Sequence, residues 1–381
     1  MRQRCLFVWE NVGPMHGDRV AATDRLFPGQ VAAIQFWPTS DTYGWKVDHH
    51  VVPVESLFPA VTPRPGFGLA WRLFRACRRR RAREIYLCHY NLWPVLLAAI
   101  LLRLGGARVF CMFESKFDDY PRTLLRELGK SLFLSPYNGA LVATRRSRDY
   151  IRFLGFRRRP VELGYDSLSV DRIREQSVHL PAPDGIAHGA RDFLIVARLV
   201  PKKNIELALT AYAVWRAQGG GGRLLRILGS GPCEAQLRDR ARELGIEEQV
   251  VFEGFVQTAR VSECLGQALC LILPSIEEQF GLVVIEAMAM GVPALVSVNA
   301  GAVDTMIDNG VNGWIVDPHS PRALAFAMSR LDQDEQEWGR MAQAARDDSR
   351  RGDAAEFAAG VARLSGARLT SSAPHRPPCT R

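Results

Sequence analysis

Two glutamates stand eight positions apart in the run Glu278-Gln-Phe-Gly-Leu-Val-Val-Ile-Glu286. An apolar stretch from Ala268 to Leu273, closed by Pro274-Ser275, precedes them; a small-residue run, Ala287 to Met290, ended by Gly291-Val292-Pro293, follows. The pattern reads as a buried strand, a glycine-bearing turn and a helix start, where free backbone N–H groups make an anion site. Carboxylates repel phosphate, so Glu278 and Glu286 must serve another part of a ligand. Hydroxyl groups suit them, because a carboxylate accepts two or more hydrogen bonds. Taken as helix, eight residues rise about 12 Å, the reach from a ribose across a diphosphate to an attached sugar. The plain alternative is a surface glutamate ahead of a core helix.

Two further motifs lie upstream. Ala197-Arg-Leu-Val-Pro-Lys-Lys-Asn204 follows a strand pattern and leads into a helix, and Gly229-Ser-Gly231-Pro232 does the same. Together with the glutamate pair they resemble the E-x7-E signature, the G-R-L-x-x-x-K-G segment and the G-x-G-P turn of retaining GT-B glycosyltransferases. That large group (glycosyltransferase family 4, group 1 type) includes sucrose synthase and many bacterial polysaccharide enzymes.

The resemblance implies that Arg198 and Lys203 hold the donor diphosphate. A departing diphosphate needs fixed cations where no metal serves it; Arg binds two oxygens and Lys acts as a point charge. It also implies that Glu286 grips the ribose and that Glu278, with the backbone around Phe280, Gly281 and Leu282, positions the sugar. Gly229 and Gly231 then lie near the nucleotide, and Gly254-Phe255 help line the base pocket. Lys203, by spacing, takes the lysine position rather than Lys202. Ala197 and Asn204 stand where the family often has glycine. Ala300 to Asp304 matches a G-x-x-E stretch, with Asp304 in place of Glu, and gets a place near the cleft without a role.

The first half matches only by order of elements. Gly13, in Asn11 to His16 after the first strand, occupies the place of a glycine-rich loop near the donor phosphate. Tyr86 to Asn91 ends a strand and projects His89 or Asn91 toward the cleft, or else holds a structurally satisfied histidine. Phe113-Glu114-Ser115 ends another strand. Several relatives put a catalytic-site His there, and Glu114 stands in its place; a carboxylate can orient or deprotonate an acceptor hydroxyl. Asp118-Asp119 lack the strand-loop context of a metal-dependent GT-A enzyme and read as solvated loop carboxylates. No metal site and no cofactor are expected, the nucleotide-sugar being a substrate.

These residues need a frame. The 381 residues are 47% hydrophobic and 23% charged, ordinary for two soluble domains with separate cores. Strand patterns at Cys5–Trp9, Val31–Phe36, Glu84–Cys88, Arg108–Phe113 and Gly139–Thr144 alternate with helical ones at Gly68–Arg83, Leu92–Leu102 and Arg122–Phe133. A second α/β set runs from Phe193 to Arg346. The predicted fold class is α/β: GT-B, two doubly wound Rossmann-like domains facing across a cleft. Residues 1–176 form an amino-terminal acceptor-binding domain, 177–191 a linker and 192–348 a carboxy-terminal nucleotide-sugar domain. Residues 349–369 form a carboxy-terminal helix and 370–381 a disordered tail.

The net charge of +9 is uneven. Residues 1–176 carry 28 Lys/Arg against 16 Asp/Glu, and 177–381 carry 21 against 24. So basic a half implies an anionic partner. Arg72 to Arg83, beside an apolar stripe of Phe67, Ala70, Trp71, Phe74 and Cys77, together with Arg157 to Arg159, suits an anionic membrane surface. No nucleic acid is expected. The eight cysteines include no C-x-x-C pair, so a reducing cytoplasm is expected, with the protein peripheral on the inner face of the plasma membrane. The opening residues read as a strand, not a signal peptide.

The activity these features imply is sugar transfer, with retention, from a nucleotide-sugar donor to a glycan or lipid-linked acceptor in cell-surface polysaccharide synthesis. The alternatives are a GT-B-like nucleotide-sugar epimerase, and a non-catalytic anionic-surface or nucleic-acid binding protein on a degenerate transferase fold.

Overall fold

Short apolar runs become the strands of two parallel sheets. The structure, a computed structural model, describes residues 4–38, 52–61 and 66–367; the expected tail at 370–381 lies outside them. The first sheet holds β1 (Cys5–Trp9), β2 (Val31–Gln35), β3 (Val54–Ser56), β4 (Glu84–Leu87), β5 (Arg108–Phe113), β6 (Gly139–Val142) and β7 (Val161–Leu163). Its order is β3-β2-β1-β4-β5-β6-β7. The second sheet holds β8 (Asp192–Val196), β9 (Leu225–Leu228), β10 (Val250–Gly254), β11 (Ala268–Leu273), β12 (Ala294–Ser297) and β13 (Gly313–Val316), in the order β10-β9-β8-β11-β12-β13. All described pairings within the two sheets are parallel.

Parallel strands need crossovers, and helices supply them. The first domain carries α1 (Pro14–Leu26), α2 (Phe67–Arg79), α3 (Trp93–Leu104), α4 (Leu124–Phe133), α5 (Arg145–Ile151) and α6 (Val170–Glu175). The second carries α7 (Ile205–Ala217), α8 (Glu234–Glu243), α9 (Thr258–Gly266), α10 (Val283–Ala289), α11 (Pro321–Gln333) and α12 (Glu335–Asp348), and α13 (Ala354–Ser365) ends the described chain. Both faces of each sheet are covered, so strands such as Ala268–Leu273 are buried along their whole length. On β1, Leu6 and Val8 pack with Leu69, Leu73 and Val95 on one face. Phe7 and Trp9 pack with Val20 and Phe357 on the other. In each sheet the strand order reverses, at β1/β4 and at β8/β11, which opens a crevice at the carboxyl ends.

Several expectations need correction. The turn expected around Gly13 caps a full helix, α1, whose buried face carries Asp18, Arg19 and Thr23 beside Val20 and Ala22. A face so polar gives no apolar period. The inward stripe of α2 is Leu69, Ala70, Leu73, Ala76 and Cys77, while Phe67 and Trp71 face out. Several α2 arginines are also committed: Arg72 donates to the Leu57 carbonyl at 2.8 Å, and Arg79 and Arg80 pair with Glu55 at 2.5 and 3.1 Å.

The expected carboxy-terminal helix begins with a 3-10 turn, Ser349–Gly352, and continues as α13. It returns to the first domain. Phe357 meets Phe7 with ring centroids 5.2 Å apart, and the Tyr86 hydroxyl donates to the Val361 carbonyl at 3.4 Å. Each such buried side chain contributes about 1.5–3 kcal/mol, so the end of the chain helps hold its beginning.

Candidate active site

The carboxyl end of β8 runs through Ala197-Arg198 into a 3-10 turn, Pro201–Lys203, and then into α7. Asn204 joins turn to helix with φ 55°, a left-handed conformation that Asn tolerates. Its side-chain amide donates to the Pro274 and Pro318 carbonyls at 3.1 and 2.8 Å, which ties the Lys203 turn to the end of β11. Beside it, Gly229 has φ 133°, and a Cβ there would lie 1.9 Å from the Ala197 carbonyl oxygen. Only glycine lets the two chain segments approach so closely.

Between Glu278 and Glu286 the chain is not one helix. Glu278 lies in a loop that bridges to Ala300, Gly281 turns with φ 99°, and α10 starts at Val283. The helical rise over eight residues therefore does not apply. Phe280, 4% exposed, anchors the loop instead and leaves the two glutamates at separate places.

Two cavities meet here. The first, about 490 Å³, lies among Arg198, the Gly229-to-Pro232 turn, Phe255, Val256, Arg172 and Glu286. The second, about 510 Å³, takes Arg198, Lys203 and the Glu278-to-Val283 loop from one domain. The other domain supplies Glu10, His16, Arg19, His89, Glu114, Tyr165 and Asp166. Met15, Val196, Arg198 and Leu282 border both. Thus Glu286, Gly229 and Gly231 line the first cavity, and Lys203, Glu278, Phe280, Gly281 and Glu114 the second. Gly13 lines neither; it caps α1 just before Pro14, which lines the first. Asn91 lines neither, while His89 does enter the second.

The charges are arranged with some care. Lys203 Nζ pairs with a Glu278 carboxylate oxygen, to which Ser275 Oγ also donates at 3.2 Å. Burial pushes Glu286 up to about 7, against the pull of Arg172 and helped by Asp18. Burial, then the neighbouring Asp166, raises Glu114 well above the usual carboxyl range, which favours its neutral form. Glu286 feels Arg172 and Glu114 feels Arg19, and each lines its cavity. Arg19 and Asp166 form a buried pair at 3.0 Å.

His16 Nδ1 accepts from the Gly13 N–H at 3.0 Å, which leaves the proton on Nε2. Burial, then Arg19, holds this ring well below the usual imidazole range, so it stays neutral. Cys88 raises His89 despite burial, and Glu10, 3.6 Å away, adds to the effect. Among the described residues no group of three or more His, Cys, Asp or Glu is arranged to hold a metal ion. Sequence reading missed His16, Arg19 and Asp166. The first two sit on the unrecognised α1, and Asp166 follows a three-residue edge strand.

Asp118 is exposed, as expected of a solvated loop carboxylate, though ion-paired; Asp119 is not solvated. Asp119 pairs with Lys116, both buried, and Asp118 binds Arg146 at 2.6 Å. These residues clasp the domains. Lys116 Nζ donates to the Glu278 carbonyl at 2.8 Å, and the Tyr120 hydroxyl donates to Glu277 at 2.8 Å. Arg146 donates to Asp304 at 2.8 Å and to the Ala300 carbonyl at 2.6 Å. Asp304 thereby acquires a structural role.

Residues 180–348 match the family described as Glycosyl transferases group 1. The putative colanic acid biosynthesis glycosyltransferase WcaL of Salmonella typhimurium is 32% identical over 184 residues, 46% of this chain and 44% of that protein. The amylovoran biosynthesis glycosyltransferase AmsK of Erwinia amylovora is 31% identical over 169 residues, 43% and 41% of the two. The chain thus spans less than half the length of the curated relatives it matches.

Among solved structures, Anabaena HepE in complex with UDP-glucose superposes with TM-score 0.73 at 17% identity, over 96% of this chain and 100% of that one. The lipopolysaccharide outer core galactosyltransferase WaaB, in its apo form, gives 0.69 at 17%, over 95% and 99%. These likenesses establish the fold as GT-B.

Proposed function

We propose that this chain, a GT-B protein with a Glycosyl transferases group 1 module over residues 180–348, transfers a sugar from a nucleotide-sugar to an acceptor hydroxyl. The observation that carries the proposal is the pair of cavities joined at Arg198. One is mainly apolar with a single carboxyl, Glu286, which fits a base and a ribose diol. The other is lined by carboxyls, imidazoles and cations, which fits sugars. The diphosphate then belongs at their junction, between Arg198 and Lys203, where a dianion gains most from fixed charge. HepE was solved with UDP-glucose, so a UDP-sugar is the donor proposed first. WcaL and AmsK point to polysaccharide synthesis as the setting.

In this reading Lys203 exchanges Glu278 for the β-phosphate as the donor enters, and Glu278 turns to the sugar hydroxyls. The bond from the anomeric carbon to the β-phosphate oxygen breaks, and the acceptor oxygen bonds to that carbon from the same face. The acceptor's proton passes to the departing phosphate oxygen. Side-chain chemistry favours this route. His16 is neutral with its Nδ1 occupied, so it orients a hydroxyl rather than removing a proton, and burial favours the neutral form of Glu114. Arg198 and Lys203 supply the positive charge that a metal supplies elsewhere. The proposed transfer retains the anomeric configuration and uses these two cations in place of a metal.

The test is release of UDP from UDP-glucose with and without glycan or lipid-linked acceptors. Acceptor-dependent release of UDP supports transfer. Conversion of the sugar without any acceptor would favour an epimerase instead.

A further inference from the structure

Helix α4 is amphipathic with its polarity inverted. Its only buried residue is Glu127, which is held by Arg122 at 3.5 Å, Lys130 at 3.7 Å and the Tyr150 hydroxyl at 2.5 Å. Leu124, Leu125, Leu128 and Leu132 face outward, 57–83% exposed. Phe117 and Phe153 extend the patch, edge to face with centroids 5.9 Å apart and each more than half exposed. An apolar surface of this extent marks something that covers it.

Its surroundings say what. Arg126 on α4, and Arg152, Arg157 and Arg158 around the π-helical turn beside it, are exposed. Nearby acids are few: Glu127 is buried, Asp118 binds Arg146, and Asp149 is exposed beside Arg148. A second copy of the chain fits poorly, because a two-fold contact would oppose the same arginines. Among the described residues no helix is long and apolar enough to cross a membrane.

We propose that the outer face of α4, with Phe117 and Phe153, docks on an anionic lipid bilayer. The leucines and phenylalanines enter the boundary between headgroups and acyl chains, and the arginines pair with lipid phosphates. The contact proposed here is on α4; on α2 part of the basic face is engaged, Arg72 with the Leu57 carbonyl and Arg79 and Arg80 with Glu55. The docked face adjoins the cleft. Phe117 belongs to the patch, while its neighbour Lys116 reaches the Glu278 carbonyl. Lys116 thus links the patch to the Glu278 loop, which lines the cavity of Glu114 and Asp166. The acceptor, which rests on the transferase reading above, is one whose hydroxyl is carried on a lipid anchor.

The experiment is sedimentation of the full chain with vesicles of phosphatidylcholine alone and of phosphatidylcholine mixed with phosphatidylglycerol. The wild-type chain should bind the mixed vesicles, bind the neutral ones weakly, and release with added salt. The Leu125→Glu/Leu128→Glu variant should lose vesicle binding about tenfold or more, and Arg157→Glu/Arg158→Glu about tenfold. Both should keep the wild-type melting temperature, since the altered side chains are exposed. The proposal falls if the wild-type chain ignores anionic vesicles or if the leucine variant binds as well as wild type. It also falls if light scattering finds a dimer that the leucine variant splits, which would give the face to a second copy. Vesicle binding requires no turnover, so docking without any transfer activity would spare this proposal and sink the transferase reading.

Discussion

Arg198 borders both cavities, while Lys203 and Glu278 border one and are paired to each other. That division of labour makes separate predictions for the side chains. Lys203→Ala should lower turnover by about 10²–10³-fold, because a fixed cation aimed at developing charge is worth about 3–4 kcal/mol. The melting temperature should change little, Lys203 lying at the cavity wall. A steady-state assay beside a melting curve checks both halves.

Glu286 gives a pH prediction. Its folded value of about 7 lies above the ordinary carboxyl range, so burial taxes the ionised form. Ribose binding wants that form. Donor affinity should rise from pH 6 to pH 8 with an inflection near 7, and in Glu286→Gln it should be weak and flat; titration calorimetry at several pH values reads this. The stability sign is opposite. A carboxyl whose folded pKa is raised holds its proton longer than in the unfolded chain, so it removes stability as pH climbs through that range. Donor-free Glu286→Gln should therefore be more stable than wild type at pH 8, by up to about 3 kcal/mol, with the gain vanishing in acid.

At the scale of elements, the loops after the strands carry the site, and glycine sets their paths. Gly229→Ala should cost about 2–3 kcal/mol or more from φ strain and a clash with the Ala197 carbonyl, and should abolish donor binding. Denaturant unfolding and a donor-induced melting shift measure the two effects. Legibility also divides by element. The strands of both sheet centres and the helices after β8 were readable, since a buried parallel strand is a continuous apolar run. The three-residue edge strands β3 and β7 were too short to leave a pattern. Helix α1 escaped because Asp18, Arg19 and Thr23 fill its inner face, and with it went His16 and Arg19. Arg198, Lys203, Glu278 and Glu286 could be picked out because each sits in a local motif. Asp166 could not, because its meaning comes from Arg19, 147 residues earlier in the chain.

For the whole molecule, the two domains are joined in two ways that the sequence hid. Helix α13 closes the first domain with the end of the chain, and Lys116, Tyr120 and Arg146 clasp the Glu278 loop from across the cleft. Closure of this kind excludes water and limits hydrolysis of the donor. Arg146→Ala removes hydrogen bonds to Asp304 and Ala300 together. It should speed hydrogen exchange in residues 276–282 and raise donor hydrolysis relative to transfer several-fold, with the isolated melting temperature only modestly lower.

The arrangement of both lobes around one activated sugar is tested most directly by a crystal structure of the chain soaked with UDP-glucose. The nucleoside should occupy the cavity between Phe255 and Glu286, the diphosphate should contact Arg198 and Lys203, and the glucose should meet Glu278 in the neighbouring cavity. A nucleotide bound away from Arg198, or both cavities left empty at saturating UDP-, GDP- and ADP-sugars, would contradict it.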